Sequence, residues 1–425
     1  MDVRITRSEF AGRVTAPPSK SYTQRAVACA LLAEGRSEVI CPSRSDDALR
    51  ALQAARMLGA RVADIGDRWA ITGGAIRAPG EAVDCGGSAT ALRLFTAISA
   101  YADGPTTLTG NEQLRRRPMG ALLVAMNSLG ARCLSKGGSG LPPVVVLGGG
   151  AEGGSASIRG DVSSQFISAL LIMCTHARRD ATIRLTSPLE SSRYVDMTIE
   201  VLRAFGAEAV FHTASGLFTV PGRQPLRPAS FEVEGDFSSA AFMLAAGALC
   251  GAVEVRGIRL PSLQGDVAAV DMLRRMGAAT SCTSSSVTAA KSPLKGIEID
   301  AAQVPDLVPV LAAVAAKAEG ETKITGIRRL RYKESDRIAT TAETLIRMGA
   351  SIKTGDDWMT IRGAGATRGA TIDPAGDHRI AMACAVLALA SDGVSVIKNA
   401  ECVSKSYPSF FEDLAEMGAN VELVS

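Results

Sequence analysis

The segment RRLRYKESDR brings Lys333, Glu334, Asp336 and Arg337 within five residues. It lies between an alternating apolar stretch, ETKITGI, and a helical one, IATTAETLIRM. A charge run is normally a solvated face, but a strand-to-helix junction is where site loops sit. Two similar junctions are RRRPMG, with Arg117 before Pro118, and VSKSYPSFF, with Lys405. SSRYVD, with Ser191 and Tyr194, is a weaker case, because turn chemistry explains it equally well.

Six further polar clusters each precede a nearly uncharged run. They are PPSKSYTQR (Lys20, Ser21, Arg25), CGGSATALR (Ser88, Ala89, Thr90, Arg93) and GDVSSQ (Asp161, Ser163, Ser164, Gln165), then EGDFSS (Asp236, Ser238), QVPD (Asp306) and GDHR (Asp377, His378, Arg379). Ser, Thr and Asp are preferred helix N-caps, so capping accounts for the small polar residues. It does not account for Lys20, Arg25 and Arg379, because a helix N-terminus disfavours cations. A cation there implies an anion shared with the free backbone N–H groups. A helix end stabilises an anion by only about 0.3–2 kcal/mol. Two like charges about 5 Å apart repel by about 3 kcal/mol at an effective dielectric near 20. Two anionic ligands held together therefore need Arg and Lys as well as helix ends.

The elements that position these groups repeat. An amphipathic helix ending in Gly-Ala recurs at Gly59, Gly130, Gly206, Gly277, Gly349 and Gly418, at spacings of 71, 76, 71, 72 and 69 residues. Glycine supplies the left-handed residue that stops each helix. In step with it runs an almost uncharged helix, such as SAAFMLAAGALC, apolar on all sides and hence buried on all sides. Six units of about 70 residues predict two lobes of three, since one core rarely exceeds roughly 250–300 residues. A six-unit solenoid is the weaker alternative, because fully apolar helices suit a closed lobe. Helix N-termini directed at one face of each lobe predict a cleft lined with anion-binding ends.

Composition narrows the class. Hydrophobic residues make up 47% but aromatics only 4%, which disfavours nucleic-acid stacking. A net charge of +3 is too small to argue for DNA or a membrane surface. The start, MDVRITRSEF, lacks a signal-peptide core. The longest uncharged apolar stretch, Ala240 to Val253, is too short to span a bilayer. Nine cysteines without a CxxC pair read as reduced, buried thiols of a cytoplasmic protein. Three scattered histidines make a histidine metal site improbable.

PPSKSYTQRA, RRRPMG, SSQFISALL, EGDFSSAAF, YKESDR, GDHRIAMA and SKSYPSFF occur in this order. Over essentially its whole length the chain resembles the 5-enolpyruvylshikimate-3-phosphate synthase family of enolpyruvyl transferases. The resemblance implies an α/β fold of two lobes, each of three βαβαββ-type units, with buried helices pointing their N-termini at the interlobe cleft. It implies lobes of 1–17 plus 235–425 and 18–234. It implies transfer of the enolpyruvyl group of phosphoenolpyruvate to the 5-hydroxyl of shikimate 3-phosphate through a tetrahedral adduct, with release of phosphate. No metal or organic cofactor is implied, no nucleic acid or membrane partner, and the enzyme is expected to be a cytoplasmic monomer.

Family roles fall on matching positions. Asp306, Glu334 and Lys20 resemble the proton-transfer groups, with the division among them open. Lys20, Ser21, Arg25, Ser163, Ser164, Gln165, Ser191, Asp306 and Lys333 look like shikimate 3-phosphate ligands. Lys20, Ala89, Arg117, Gln165, Arg337, Arg379 and Lys405 look like the phosphoenolpyruvate cage, with Thr90, Tyr194 and His378 behind these residues. Two positions depart from the commonest pattern. Ala89 replaces a glycine that lies against the phosphoenolpyruvate phosphate, which implies weakened inhibition by glyphosate with catalysis retained. Arg329 stands where an asparagine commonly helps bind the shikimate ring, and could simply face solvent. A UDP-N-acetylglucosamine enolpyruvyl transferase is the nearest rival, but GNEQLRRRP carries Glu112 and no thiol. A non-catalytic phosphosugar binder would gain little from Asp306 and Glu334. A dinucleotide-binding enzyme lacks its GxGxxG between strand and helix.

Overall fold

The computed structural model describes residues 1–363 and 365–424. The chain divides into two compact units: a discontinuous one, Met1–Pro17 with Glu234–Ser425, and a continuous one, Pro18–Val233. Each holds three four-stranded sheets, and every sheet combines one parallel pair with two antiparallel pairs. The parallel pairs need a crossover, and in four of the six an interior helix supplies it. For example, Gly154–Ile158 pairs with Ala181–Leu185 across the helix Ser164–Thr175.

Six interior helices match the uncharged runs: Lys20–Leu32, Ala89–Ile98, Ser164–Thr175, Phe237–Cys250, Val308–Ala315 and His378–Leu389. All fourteen residues of Phe237–Cys250 are buried. The three interior helices of the discontinuous unit pack against one another to form its core. Six amphipathic helices alternate with them; Ser192–Ala204 buries Val195, Thr198, Val201 and Leu202 at helical spacing. All six glycines of the repeat have positive φ, between 80° and 110°, so the stop signal read from the sequence is the observed one.

Two strands complete the units from afar. Asp2–Thr6 lies inside a sheet, between Val394–Ile397 and Val421–Val424. Ser230–Glu232 pairs in parallel with Gly35–Ile40, so the last strand of the continuous unit completes its first sheet. The fifth polar cluster differs from expectation, because Pro305–Leu307 forms a separate 3-10 turn before its helix. Of the nine cysteines, Cys41 and Cys282 are exposed and Cys402 is half-buried, so the expectation of buried thiols holds for the other six. No helix is long and apolar enough to cross a membrane among the described residues.

Candidate active site

In the discontinuous unit the charges converge on Arg337, the first residue of the helix Arg337–Arg347. Its guanidinium is only 1% exposed. Nε and Nη2 donate to Asp377 at 2.8 and 3.1 Å, Nη1 to Asp306 at 2.8 Å, and Nη2 also to Glu334 at 2.7 Å. The fork on Asp377 is bidentate, the strongest form of such a contact. Asp377 also caps the helix His378–Leu389, accepting from the Arg379 backbone N–H at 3.1 Å. Arg379 in turn reaches Asp306 through its side chain at 3.3 Å, and Lys333 reaches the same carboxylate at 3.3 Å.

Asp306 therefore carries three cations on one carboxylate. Burial opposes its ionisation, but Arg379, Lys333 and Arg337 outweigh that cost and hold it well below the usual carboxylate range. Lys333 is affected in the other direction, since burial pushes it down to about 8 against the pull of Asp306. Lys333, Arg337 and Arg379 are thus matched by Asp306, Glu334 and Asp377. Of the helix-start cations that capping left unexplained, Arg379 has in this structure the chain's own Asp306 as an anion. His378 is buried beside Asp377, and Lys405 is half-buried at the end of the 3-10 turn Ala400–Lys405. Arg329 does not simply face solvent: it is half-buried and donates to the Ala302 carbonyl at 2.6 Å.

In the continuous unit, hydrogen bonds tie three helix N-termini together. Gln24 of the first interior helix accepts from Ser88, the N-cap of the second, at 3.0 Å. Arg93 of the second donates to Ser163, the N-cap of the third, at 3.0 Å and to Gln165 at 2.5 Å, with its guanidinium over the Phe166 ring. Arg25 donates to Ser168 of the third at 3.4 Å. Lys20, at the start of the first, pairs with Asp47 at 2.9 Å. Ala89 and Ser164 are buried at their helix starts, with Ser21 and Thr90 half-buried nearby. Arg117 is buried, and Ser191 is held with φ of 54° at the start of Ser192–Ala204.

Arg25 is held largely by the protein itself. It is 1% exposed, and it also donates to Thr198 at 2.8 Å, the Ser21 carbonyl at 2.8 Å and the Tyr194 carbonyl at 2.9 Å. Four of its five N–H bonds are thus directed at protein acceptors. Its main work here is to brace the first helix against Ser192–Ala204, with a longer bond to the third interior helix, and Tyr194 belongs to that brace. The bracing role of Arg93 and the partner role of Asp47 were missed, as was Asp266, a buried carboxyl bonded by Ser238. Asp47 follows the N-cap Ser45 in a first turn, where an acid is ordinary helix chemistry, so no sequence signal marks it. Among the described residues no group of three or more His, Cys, Asp or Glu side chains could hold a metal ion.

The EPSP synthase (3-phosphoshikimate 1-carboxyvinyltransferase) family model matches residues 5–414. A 3-phosphoshikimate 1-carboxyvinyltransferase of Halobacterium salinarum is 44% identical, covering 99% of this chain and 100% of its own length. One of Methanocella arvoryzae is 43% identical, with both chains fully covered. An EPSP synthase structure from Acinetobacter baumannii superposes with a TM-score of 0.84 at 28% identity over the full length of both chains. The enolpyruvyl transferase NikO from Streptomyces tendae gives 0.79 at 21% identity, covering 99% of this chain and 98% of its own, and shares the fold.

Proposed function

The chain belongs to the EPSP synthase family, which transfers the enolpyruvyl group of phosphoenolpyruvate to shikimate 3-phosphate in the shikimate pathway, and from that premise we propose how its residues divide the work. Shikimate 3-phosphate is taken by Lys20, Ser21, Ser163, Ser164, Gln165, Ser191 and Lys333, with Arg25 contributing its remaining N–H. Phosphoenolpyruvate is taken by Lys20, Arg117, Gln165, Arg337, Arg379 and Lys405, against Ala89. Thr90, Tyr194 and His378 hold these groups from behind.

The reaction needs a base for the attacking 5-hydroxyl and an acid for the methylene carbon, which becomes the methyl of a tetrahedral adduct before phosphate leaves. We assign the hydroxyl proton to Asp306 and the methylene proton to Glu334, with Lys20 as a further proton carrier. One observation carries the assignment: a single carboxylate, Asp306, shared by Lys333, Arg337 and Arg379. In the free chain those cations make Asp306 a poor base. Anionic substrates that claim Arg379 and Lys333 withdraw that support, so the carboxylate becomes more basic when the substrates are in place. The cations meanwhile neutralise charge that develops on the departing phosphate.

Phosphate release from purified protein with both substrates tests the reading, with UDP-N-acetylglucosamine as the alternative acceptor. Release only with the UDP-sugar overturns it. We further propose that the enzyme works as a cytoplasmic monomer with neither metal nor organic cofactor. Loss of turnover in EDTA, or an obligate dimer by size-exclusion chromatography with light scattering, counts against that part. Ala89, buried in the first helical turn after Ser88, adds a methyl where a longer phosphoenolpyruvate mimic needs room. Glyphosate is therefore expected to inhibit weakly, and Ala89→Gly to lower its inhibition constant at least tenfold with kcat little changed. An unchanged constant removes Ala89 as the cause.

A further inference from the structure

Asp266 lies on the 3-10 turn Gly265–Val267, outside every motif singled out above. The loop before it is clamped over the start of the helix Phe237–Cys250. Gln264 accepts from the Phe237 backbone N–H at 3.0 Å and donates to the Gly235 carbonyl and to Glu234, both at 2.7 Å. Asp266 is 2% exposed. Its Oδ2 accepts from the Ser238 hydroxyl, while its Oδ1 is buried and has no hydrogen-bond partner among the described residues. The charged groups that face it are Asp236 at the same helix start, Asp306 on the following 3-10 turn, and Arg379 on the helix His378–Leu389. A buried carboxyl with one idle oxygen, within the electrostatic reach of another carboxylate, is poorly arranged to keep its charge.

We propose that Asp266 is a positioning residue for substrate capture, which acts through Arg379 and Asp306 and takes up a proton as the anionic substrate is bound. The inference rests on the assignment of phosphoenolpyruvate to Arg379. An anion arriving at Arg379 adds negative charge beside two carboxylates. Asp306 keeps its direct contact with Arg337. Asp266 has no such contact, so it is the carboxyl that neutralises. Burial and the neighbouring Asp306 push Asp266 up to about 6, against the pull of Arg379 and the Ser238 hydroxyl. Where it is ionised in the free protein, its charge opposes the incoming anion. As a neutral acid it leaves Arg379 to the substrate, and the Ser238 hydroxyl can remain its hydrogen-bond partner.

The test is KM for phosphoenolpyruvate and kcat, measured by phosphate release from pH 5.5 to 8.5 in wild type, Asp266→Asn and Ser238→Ala. The substrate's own ionisation cancels in the ratio of wild-type to variant KM. For Asp266→Asn we expect a ratio near one at pH 5.5, opening to about three- to tenfold by pH 8, with kcat within about twofold. Ser238→Ala removes the hydroxyl that stabilises the ionised form, so the rise in its KM should begin at higher pH than in wild type. A ratio flat across the pH range, or kcat and KM altered by one constant factor, marks a merely structural role and overturns the proposal. If Asp266→Asn does not fold, an unshifted Ser238→Ala profile overturns it equally. Arg379→Gln keeps the two readings apart: an unchanged KM for phosphoenolpyruvate in that variant sinks the ligand assignment, whatever the Asp266 profile shows.

Discussion

Lys333 sits where its charge is least secure. With its pKa pushed down to about 8, raising the pH strips the proton that a substrate phosphate needs. We expect kcat/KM for shikimate 3-phosphate to fall as pH rises through 8, since that parameter reports the free enzyme. Bound phosphate favours the ammonium form, so kcat at saturation should hold to higher pH. Lys333→Arg keeps the charge and should flatten the limb; a limb that survives in the arginine variant belongs to another group. Asp306→Asn and Lys20→Ala separate chemistry from structure. Both should fold, and the asparagine variant should lose about 10²–10⁴-fold in turnover, the usual worth of a positioned base. Near-normal rates in either variant remove that residue from the centre. Arg337→Gln is different, because it leaves Asp377, fully buried, without its bidentate partner. Breaking a buried pair costs about 3–5 kcal/mol, so urea unfolding should show stability and turnover lost together. Arg379 was legible in sequence because capping cannot explain a cation at a helix start, Arg337 because its charge run sits at a strand-to-helix junction, and Asp306 because QVPD precedes an uncharged run. Asp47 and Arg93 were not, because their partners lie 27 and about 70 residues away and local sequence holds no trace of the pairing.

At the scale of elements, one glycine shows how tightly helix and sheet meet. Gly247 lies in the last turn of the fully buried helix Phe237–Cys250. Alanine is normally the better helix residue, by about 0.5–1 kcal/mol. Here a Cβ would stand 2.5 Å from the Ala289 carbonyl oxygen and 2.9 Å from the Val253 nitrogen, both backbone atoms. We expect Gly247→Ala to destabilise, by about 1–3 kcal/mol as overpacking does. A thermal midpoint equal to or above wild type would contradict this. The helices themselves were legible because each amphipathic segment ends on a Gly-Ala stop and each interior segment lacks charge. The 3-10 turn carrying Asp306 was not, since QVPD is too short to show a period. Nor was the pairing of Ser230–Glu232 with Gly35–Ile40, because a parallel partner nearly 200 residues distant leaves no local pattern.

At the scale of the whole molecule, the two units differ in how the chain builds them. The continuous unit needs nothing outside Pro18–Val233, because even its returning strand ends before that boundary. The discontinuous unit borrows two strands from the start of the chain. Asp2–Thr6 is hydrogen-bonded on both sides, and its Val3 and Ile5 are fully buried. Phe10–Thr15 forms a six-residue parallel pair with Gly251–Arg256, and the Pro17 carbonyl accepts from the Asp236 backbone N–H at 2.8 Å. Without residues 1–17 one sheet loses an inner strand and another is left with a bare edge over its core. We therefore expect a fragment of residues 18–233 to fold alone, with a cooperative thermal transition by circular dichroism. A fragment of residues 234–425 should show no such transition until a peptide of residues 1–17 is added. The peptide should then raise the midpoint with concentration, as any ligand of the folded form does. Cooperative unfolding of residues 234–425 without the peptide would mean that the two strands decorate the unit rather than complete it.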